Sequence, residues 1–176
     1  MDVNTTKYDA THEKLMKEIE AIKTSCLYLA YVGDMTVVVN RKRLVYPIIK
    51  IGVSRKIHHH IHSQLKGEFC FARLCYYVAD ARAQDIETRC KNHNLFKHHR
   101  VDVLKSNAVI SEECVALRDD FTLEALKEMV HQVIDAISGQ NTTDELRMKM
   151  LDLEIAKETT RQLDRQLKIQ QAARRR

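Results

Sequence analysis

The clearest pattern of apolar positions lies at residues 48–65, where a strand-like run is followed by a helical repeat. The β-branched side chains that favour a strand are Ile48, Ile49, Ile51 and Val53. Apolar side chains then recur at helical spacing, at Ile57, Ile61 and Leu65. Gly52 permits close backbone approach and Ser54 is a suitable N-cap, so the stretch predicts a strand, a polar turn and a helix.

Further elements follow from the same periodicities along the chain. The predicted helices lie at 11–24, 81–93, 121–138 and 144–173, and the other predicted strands at 26–32, 36–39 and 68–78. Gly33 and Asp34 predict a turn, and residues 101–120 are expected to form a loop with short strand pieces. The predicted fold class is α+β, with a small three-stranded mixed or antiparallel sheet flanked by helices and a long C-terminal helix.

Composition shifts divide the chain into four predicted segments. Residues 1–25 are a tail and a helix, 26–138 the main domain, 139–143 a linker, and 144–176 a long helical arm. Apolar residues at alternating spacings of four and three predict that residues 144–173 make a coiled-coil contact, with another copy of the chain or with another protein. A solvated helix with no partner is the alternative interpretation.

Positive charge is concentrated in the middle of the chain, although the net charge is only +5. Residues 26–105 carry 14 Lys or Arg against 6 Asp or Glu, whereas residues 106–140 carry 2 against 7. Such asymmetry favours a polyanionic partner, most simply nucleic acid. The candidate contact residues are Arg41, Lys42, Arg43, Arg55, Lys56, Lys97 and Arg100. The alternative is a basic face that contacts only solvent.

The five cysteines form no Cys-x-x-Cys pair and several lie in apolar runs, so they are expected to be reduced, mostly buried thiols of an intracellular protein. No apolar run approaches the roughly 20 residues of a membrane helix, so no membrane partner is expected. His58 and His62 have a spacing that can chelate a metal, and the abundance of histidine leaves a zinc site open. No third ligand is evident, and the favoured interpretation is histidines that face solvent or phosphate.

Several short motifs occur in a characteristic order. A strand containing Tyr28 precedes Lys50-Ile51-Gly52, a helix follows, and a later helix carries Glu87 before a Phe96-to-Arg100 element. This order resembles the GIY-YIG nuclease superfamily, in particular its branch in phages and large DNA viruses of eukaryotes, across residues 26–138. The resemblance implies a viral protein located in the host cytoplasm, the host nucleus or the virion.

The resemblance also implies a catalytic centre for cutting phosphodiesters with one divalent metal, Mg²⁺ or Mn²⁺. Glu87 matches the metal-binding carboxylate, and Tyr28 matches the tyrosine that positions the nucleophile. Lys50 replaces the second motif's tyrosine. His60 stands where the family has an arginine that neutralises phosphate, a permanent charge that histidine lacks near neutral pH.

These departures predict a nucleic-acid-binding protein, expected to bind DNA, whose nuclease activity is weakened or lost and which needs no cofactor. The alternative is an active endonuclease that depends on a divalent metal. For Glu87 itself, the alternative is a surface carboxylate paired with Lys91, four residues along the helix.

Overall fold

The computed structural model describes residues 3–39, 42–65, 69, 71–105, 108–140 and 148–149. The chain divides into two compact units, Met1–Ile134 and Asp135–Arg176, and the sheet belongs to the first. The α+β class is confirmed. Most of the predicted helical arm at 144–173 lies outside the described residues.

Helices and strands alternate irregularly along the first unit. The strands are β1 (Cys26–Val39), β2 (Lys42–Ser54), β3 (Arg73–Ala79), β4 (Arg100–Lys105) and β5 (Ala108–Ala116). The helices are α1 (Val3–Ile19), α2 (an α turn Ile57–His59 continued by a π-helix His60–Leu65), α3 (Ala83–Asn92), α4 (Asn94–His99) and α5 (123–140).

The described strands form one sheet of five, in the order β3-β1-β2-β5-β4, and all the pairings are antiparallel. The prediction of three strands was therefore wrong. The error lies mainly at residues 101–120, where β4 and β5 pair with each other and β5 joins β2. Val101 is buried and Asp102, the next residue, is exposed, as expected for a strand at the edge of a sheet. The polar residues around them obscured this pattern in the sequence.

The predicted turn at Gly33 and Asp34 was also wrong, because β1 continues through it. The register with β2 shifts between Tyr31 and Gly33, so one extra residue is accommodated as a β-bulge. Gly33 has a φ of +120°, a conformation that other residues rarely adopt. Glycine here bends a long strand and does not end it.

Helices cover the sheet so that alternate strand positions are buried on both faces. Tyr28 and Ala30 of β1 share a hydrophobic cluster with Met16 and Ile19 of α1. The predicted apolar face of α2 joins this cluster through Ile57, Ile61 and Leu65. The intervening β1 residues Leu27 and Leu29 are fully buried too, and α3 contacts both β1 and β2. This packing brings α2 and α3 to the end of the β1–β2 pair where Tyr28 lies.

Four cysteines, Cys26, Cys75, Cys90 and Cys114, are buried free thiols, as predicted, and Cys70 lies outside the described residues. Within the described parts of the chain, no helix has both the length and the apolar character that crossing a bilayer requires.

Candidate functional site

A cavity of about 550 Å³ gathers the four residues predicted as catalytic. Tyr28 comes from β1, Lys50 from β2, His60 from α2 and Glu87 from α3. The remaining lining residues are Val53, Gln64, Gln84, Lys91 and Glu113. Tyr28 and Glu87, which are 59 positions apart in sequence, therefore line the same cavity. None of the four elements forms this cavity alone.

The Tyr28 ring lies across Gly52, its partner on the neighbouring strand. A β-carbon at Gly52 would lie only 2.6 Å from Tyr28 Cζ, well inside van der Waals contact. Gly52 is therefore required by the close approach of the tyrosine, the role expected from the sequence. Tyr28 is 1% exposed, so its hydroxyl is held in place by packing along the whole ring.

The hydroxyl of Tyr28 is hydrogen-bonded to His60 Nε2 at 2.8 Å. His60 begins the π-helical part of α2, a wider turn that often occurs at functional sites. Burial lowers the pKa of His60 below its ordinary value, a hydrogen bond with Gln64 opposes this, and nearby Lys50 lowers it further. The ring is consequently neutral near pH 7, so the position to which the motif resemblance assigns an arginine holds an uncharged group.

Among the described residues, four charged side chains line the cavity, two of each sign, and they are linked in one chain of contacts. Lys50 Nζ donates to Glu113 Oε2 at 2.9 Å, and Lys91 Nζ donates to Glu113 Oε1 at 2.6 Å. Lys91 Nζ also lies 3.1 Å from Glu87 Oε1. The predicted pairing of Glu87 with Lys91 is thus present, but Glu87 is only 5% exposed and is not a surface carboxylate.

These contacts shift the pKa values of Glu113 and Lys91 in the directions that favour their charged forms. Burial raises the pKa of Glu113, but the hydrogen bonds from Lys91 and Lys50 outweigh it, so the pKa is lowered overall. Burial likewise lowers the pKa of Lys91, whereas Glu113 and Glu87 raise it by more, and the net shift is upward. The cavity therefore contains ion pairs that balance one another, and it is not the positively charged hollow that the central basic segment suggested.

The divalent metal implied by the family does not fit the residues present. Gln84 Nε2 donates to Glu87 Oε2 at 2.7 Å, and Lys91 Nζ lies 3.1 Å from Glu87 Oε1. Both carboxylate oxygens are thus engaged by nitrogen donors. In the described part of the chain, no group of three or more His, Cys, Asp or Glu residues is arranged to hold a metal ion.

The predicted nucleic-acid-binding residues lie outside the cavity lining. Lys42 and Arg43 are exposed at the far end of the β1–β2 pair, roughly 30 Å from Gly52 at about 3.3 Å per residue. Arg55 and Lys56 are exposed beside a smaller cavity between the end of α1 and the start of α2. Exposed Lys97 and Arg100 lie at the α4–β4 junction. Arg41 lies outside the described residues.

The remaining α2 histidines turn away from the cavity. The rings of His58 and His62 have centroids 4.7 Å apart, and His62 lies 6.3 Å from the ring of His12 on α1. His58 also approaches Glu20 at 3.7 Å. His60 alone among the α2 histidines lines the cavity with Tyr28.

Sequence reasoning missed Glu113, Gln64 and Gln84 as cavity residues. Glu113 was hidden because its strand, β5, was predicted as loop. The continuous apolar run from Cys114 to Leu117, with no Gly or Pro, was a usable signal for a buried strand there. Gln64 lies four residues after His60 and Gln84 three before Glu87, so helical spacing placed each beside a predicted residue.

Comparisons of the chain with protein-family models, with curated proteins and with solved structures found no match.

Proposed function

We propose that the chain is a GIY-YIG-like nucleic-acid-binding protein, akin to the viral branch of that superfamily, whose cleavage activity is weakened or lost. The observation that supports this most directly is the convergence of Tyr28, Lys50, His60 and Glu87 on one cavity. These are the residues that the motif resemblance selects, and they reach the cavity from four different elements. Chance clustering of four preselected positions is a poor explanation for that arrangement.

Loss of cleavage is supported by the chemistry inside the cavity. Cutting a phosphodiester requires positive charge directed at the phosphate oxygens, normally from a metal ion and a fixed cation. Here His60 is neutral near pH 7, and Lys50 donates to Glu113. Glu87, the matching metal ligand, is engaged by Gln84 and Lys91. The cations present are held by carboxylates of the protein itself.

Nucleic-acid binding is assigned to the exposed cations outside the cavity. Lys42, Arg43, Arg55, Lys56, Lys97 and Arg100 are all solvent-exposed. Exposed Lys and Arg gain binding energy from phosphates mainly by releasing condensed counterions. The affinity should therefore depend steeply on salt and weakly on base sequence.

The binding proposal is tested by measuring the affinity of a fluorescent DNA duplex across a salt series. Lys42→Glu with Arg43→Glu, and separately Arg55→Glu with Lys56→Glu, should weaken binding at every sequence tested. Each lost phosphate contact should lower the slope of log affinity against log salt by about one. Lys14→Glu is the matched control, because Lys14 is an exposed lysine on α1 outside the assigned set. Binding that is absent or insensitive to salt would contradict the proposal.

An active endonuclease is the second candidate, favoured by the hydrogen bond between Tyr28 and His60 in the cavity that Glu87 also lines. A plasmid-nicking assay with Mg²⁺ or Mn²⁺ separates the two candidates. Cleavage by the parent that disappears in Glu87→Ala would establish the enzyme. No cleavage by pure, folded parent protein would eliminate it.

In this proposal, the helical arm at 144–173 binds a second copy of the chain or another protein. Its spacing of apolar residues supports this, and residues 148–149 are helical where described. Light scattering of the full chain and of a version ending at residue 143 tests self-association. A monomer in both cases would reject a homo-oligomer and leave a heterologous partner.

A further inference from the structure

We propose that the Lys91 ammonium is a built-in replacement for the divalent cation, held between the carboxylates of Glu87 and Glu113. Its Nζ lies 3.1 Å from Glu87 Oε1 and 2.6 Å from Glu113 Oε1. One nitrogen atom therefore bridges two carboxylates that come from α3 and β5. The inference deepens the proposed loss of cleavage, since it states why the matching carboxylate does not take up a metal.

The position of Lys91 follows from its helix. Glu87 and Lys91 are one turn apart on α3, so their side chains lie on the same face of the helix. Gln84, one turn before Glu87, donates to the other oxygen of the same carboxylate at 2.7 Å. The helix thus supplies both the acidic group and the two donors that hold it.

An ammonium and a divalent metal ion between Glu87 and Glu113 would differ in charge and in their distance from the carboxylate oxygens. Mg²⁺ takes oxygen ligands at about 2.0–2.1 Å in near-octahedral geometry, whereas an ammonium donates at hydrogen-bond distances. Binding of Mn²⁺ or Mg²⁺ between Glu87 and Glu113 would require the Lys91 side chain to leave. The Lys91 side chain is 30% exposed and the Glu87 side chain 6% exposed, so the cation lies nearer the solvent than the carboxylate that it contacts.

The test is direct titration of Mn²⁺, followed by electron paramagnetic resonance of the free ion, on the full chain at pH 7. The parent should show no saturable site. Lys91→Met should bind Mn²⁺ saturably, with an affinity at least about tenfold above the upper limit set by the parent, because a neighbouring ammonium no longer repels the dication. Glu87→Gln added to Lys91→Met should abolish the new site. Lys50→Met is the matched control: it removes the other ammonium on Glu113, leaves Lys91 in place and should create no site.

Two results would overturn the inference. The first is saturable Mn²⁺ binding by the parent that Glu87→Gln removes, a measurement that needs no lysine variant to fold. The second is a folded Lys91→Met protein, verified by circular dichroism, that binds Mn²⁺ no better than the parent. Because no nucleic acid is present in the titration, failure here is distinguishable from failure of the DNA-binding proposal.

Discussion

Two sets of cations in this protein have opposite surroundings. Lys50 and Lys91 line a cavity and are held there by Glu113 and Glu87. Lys42, Arg43, Arg55 and Lys56 stand in solvent. A basic segment in the sequence therefore does not by itself identify where an anion binds. Carboxylates brought in from distant strands and helices decide which cations are available to a partner.

The largest stability effect is expected at the glycine beneath the cavity. Gly52→Ala should destabilise the fold by about 3 kcal/mol, because the new methyl group would overlap the buried Tyr28 ring. Urea denaturation measures this change. Gly139→Ala is the control, since nothing lies within 4 Å of a β-carbon there, and it should be neutral or slightly stabilising. Equal effects at the two glycines would contradict the close packing described.

The second-largest loss of stability is expected when the carboxylate that contacts both cavity lysines is removed. Glu113→Gln should lower the free energy of unfolding by about 2 kcal/mol, less than for a fully buried pair because Glu113 is 34% exposed. Lys50, at 9% side-chain exposure, would then lose its charged partner. The matched change Glu124→Gln, in an exposed pair with Lys127, should alter stability by less than about 0.5 kcal/mol.

Buried histidines should make the stability of the fold depend on pH. Burial lowers the pKa of His60 and of His99, and the charges of Asp120 and Arg118 act on His99 in opposite directions. Because both folded-state pKa values lie below the ordinary value of about 6.5, the unfolded chain binds these protons more readily. Stability should therefore fall as the pH drops through about 6.5, as measured by urea denaturation at a series of pH values.

His99 is the sharper variant for this test, since it stacks on Phe121 with ring centroids 4.2 Å apart and its Nδ1 has no hydrogen-bond partner in the structure. His99→Phe should reduce the loss of stability between pH 7 and pH 5. The same pH profile for the parent and His99→Phe would refute a contribution from His99.

The smallest stability effect is expected at the exposed cations. Lys42→Glu with Arg43→Glu should change the free energy of unfolding by less than about 0.5 kcal/mol, since surface changes away from packed features rarely matter more. A larger loss, measured by urea denaturation, would indicate that these side chains support the fold and would weaken their assignment to a partner.

Local patterns predicted much of this architecture because they depend on neighbours in sequence. The apolar repeat Ile57, Ile61 and Leu65 is buried as predicted, and the motif residues Tyr28 and Glu87 reach one cavity. Glu113 was missed because its role depends on pairing with a distant strand, and strand pairing leaves only a weak local signal. Gly33 misled for a related reason, since glycine marks turns and bulges alike and only the partner strand distinguishes them.

The packing of Tyr28 on Gly52 has a consequence for how this protein tolerates change. A substitution that adds atoms at position 52 should be rescued by one that removes the ring at position 28, so the two sites are expected to vary as a pair. Randomising both codons and selecting folded clones should recover large-with-small combinations far more often than two large side chains.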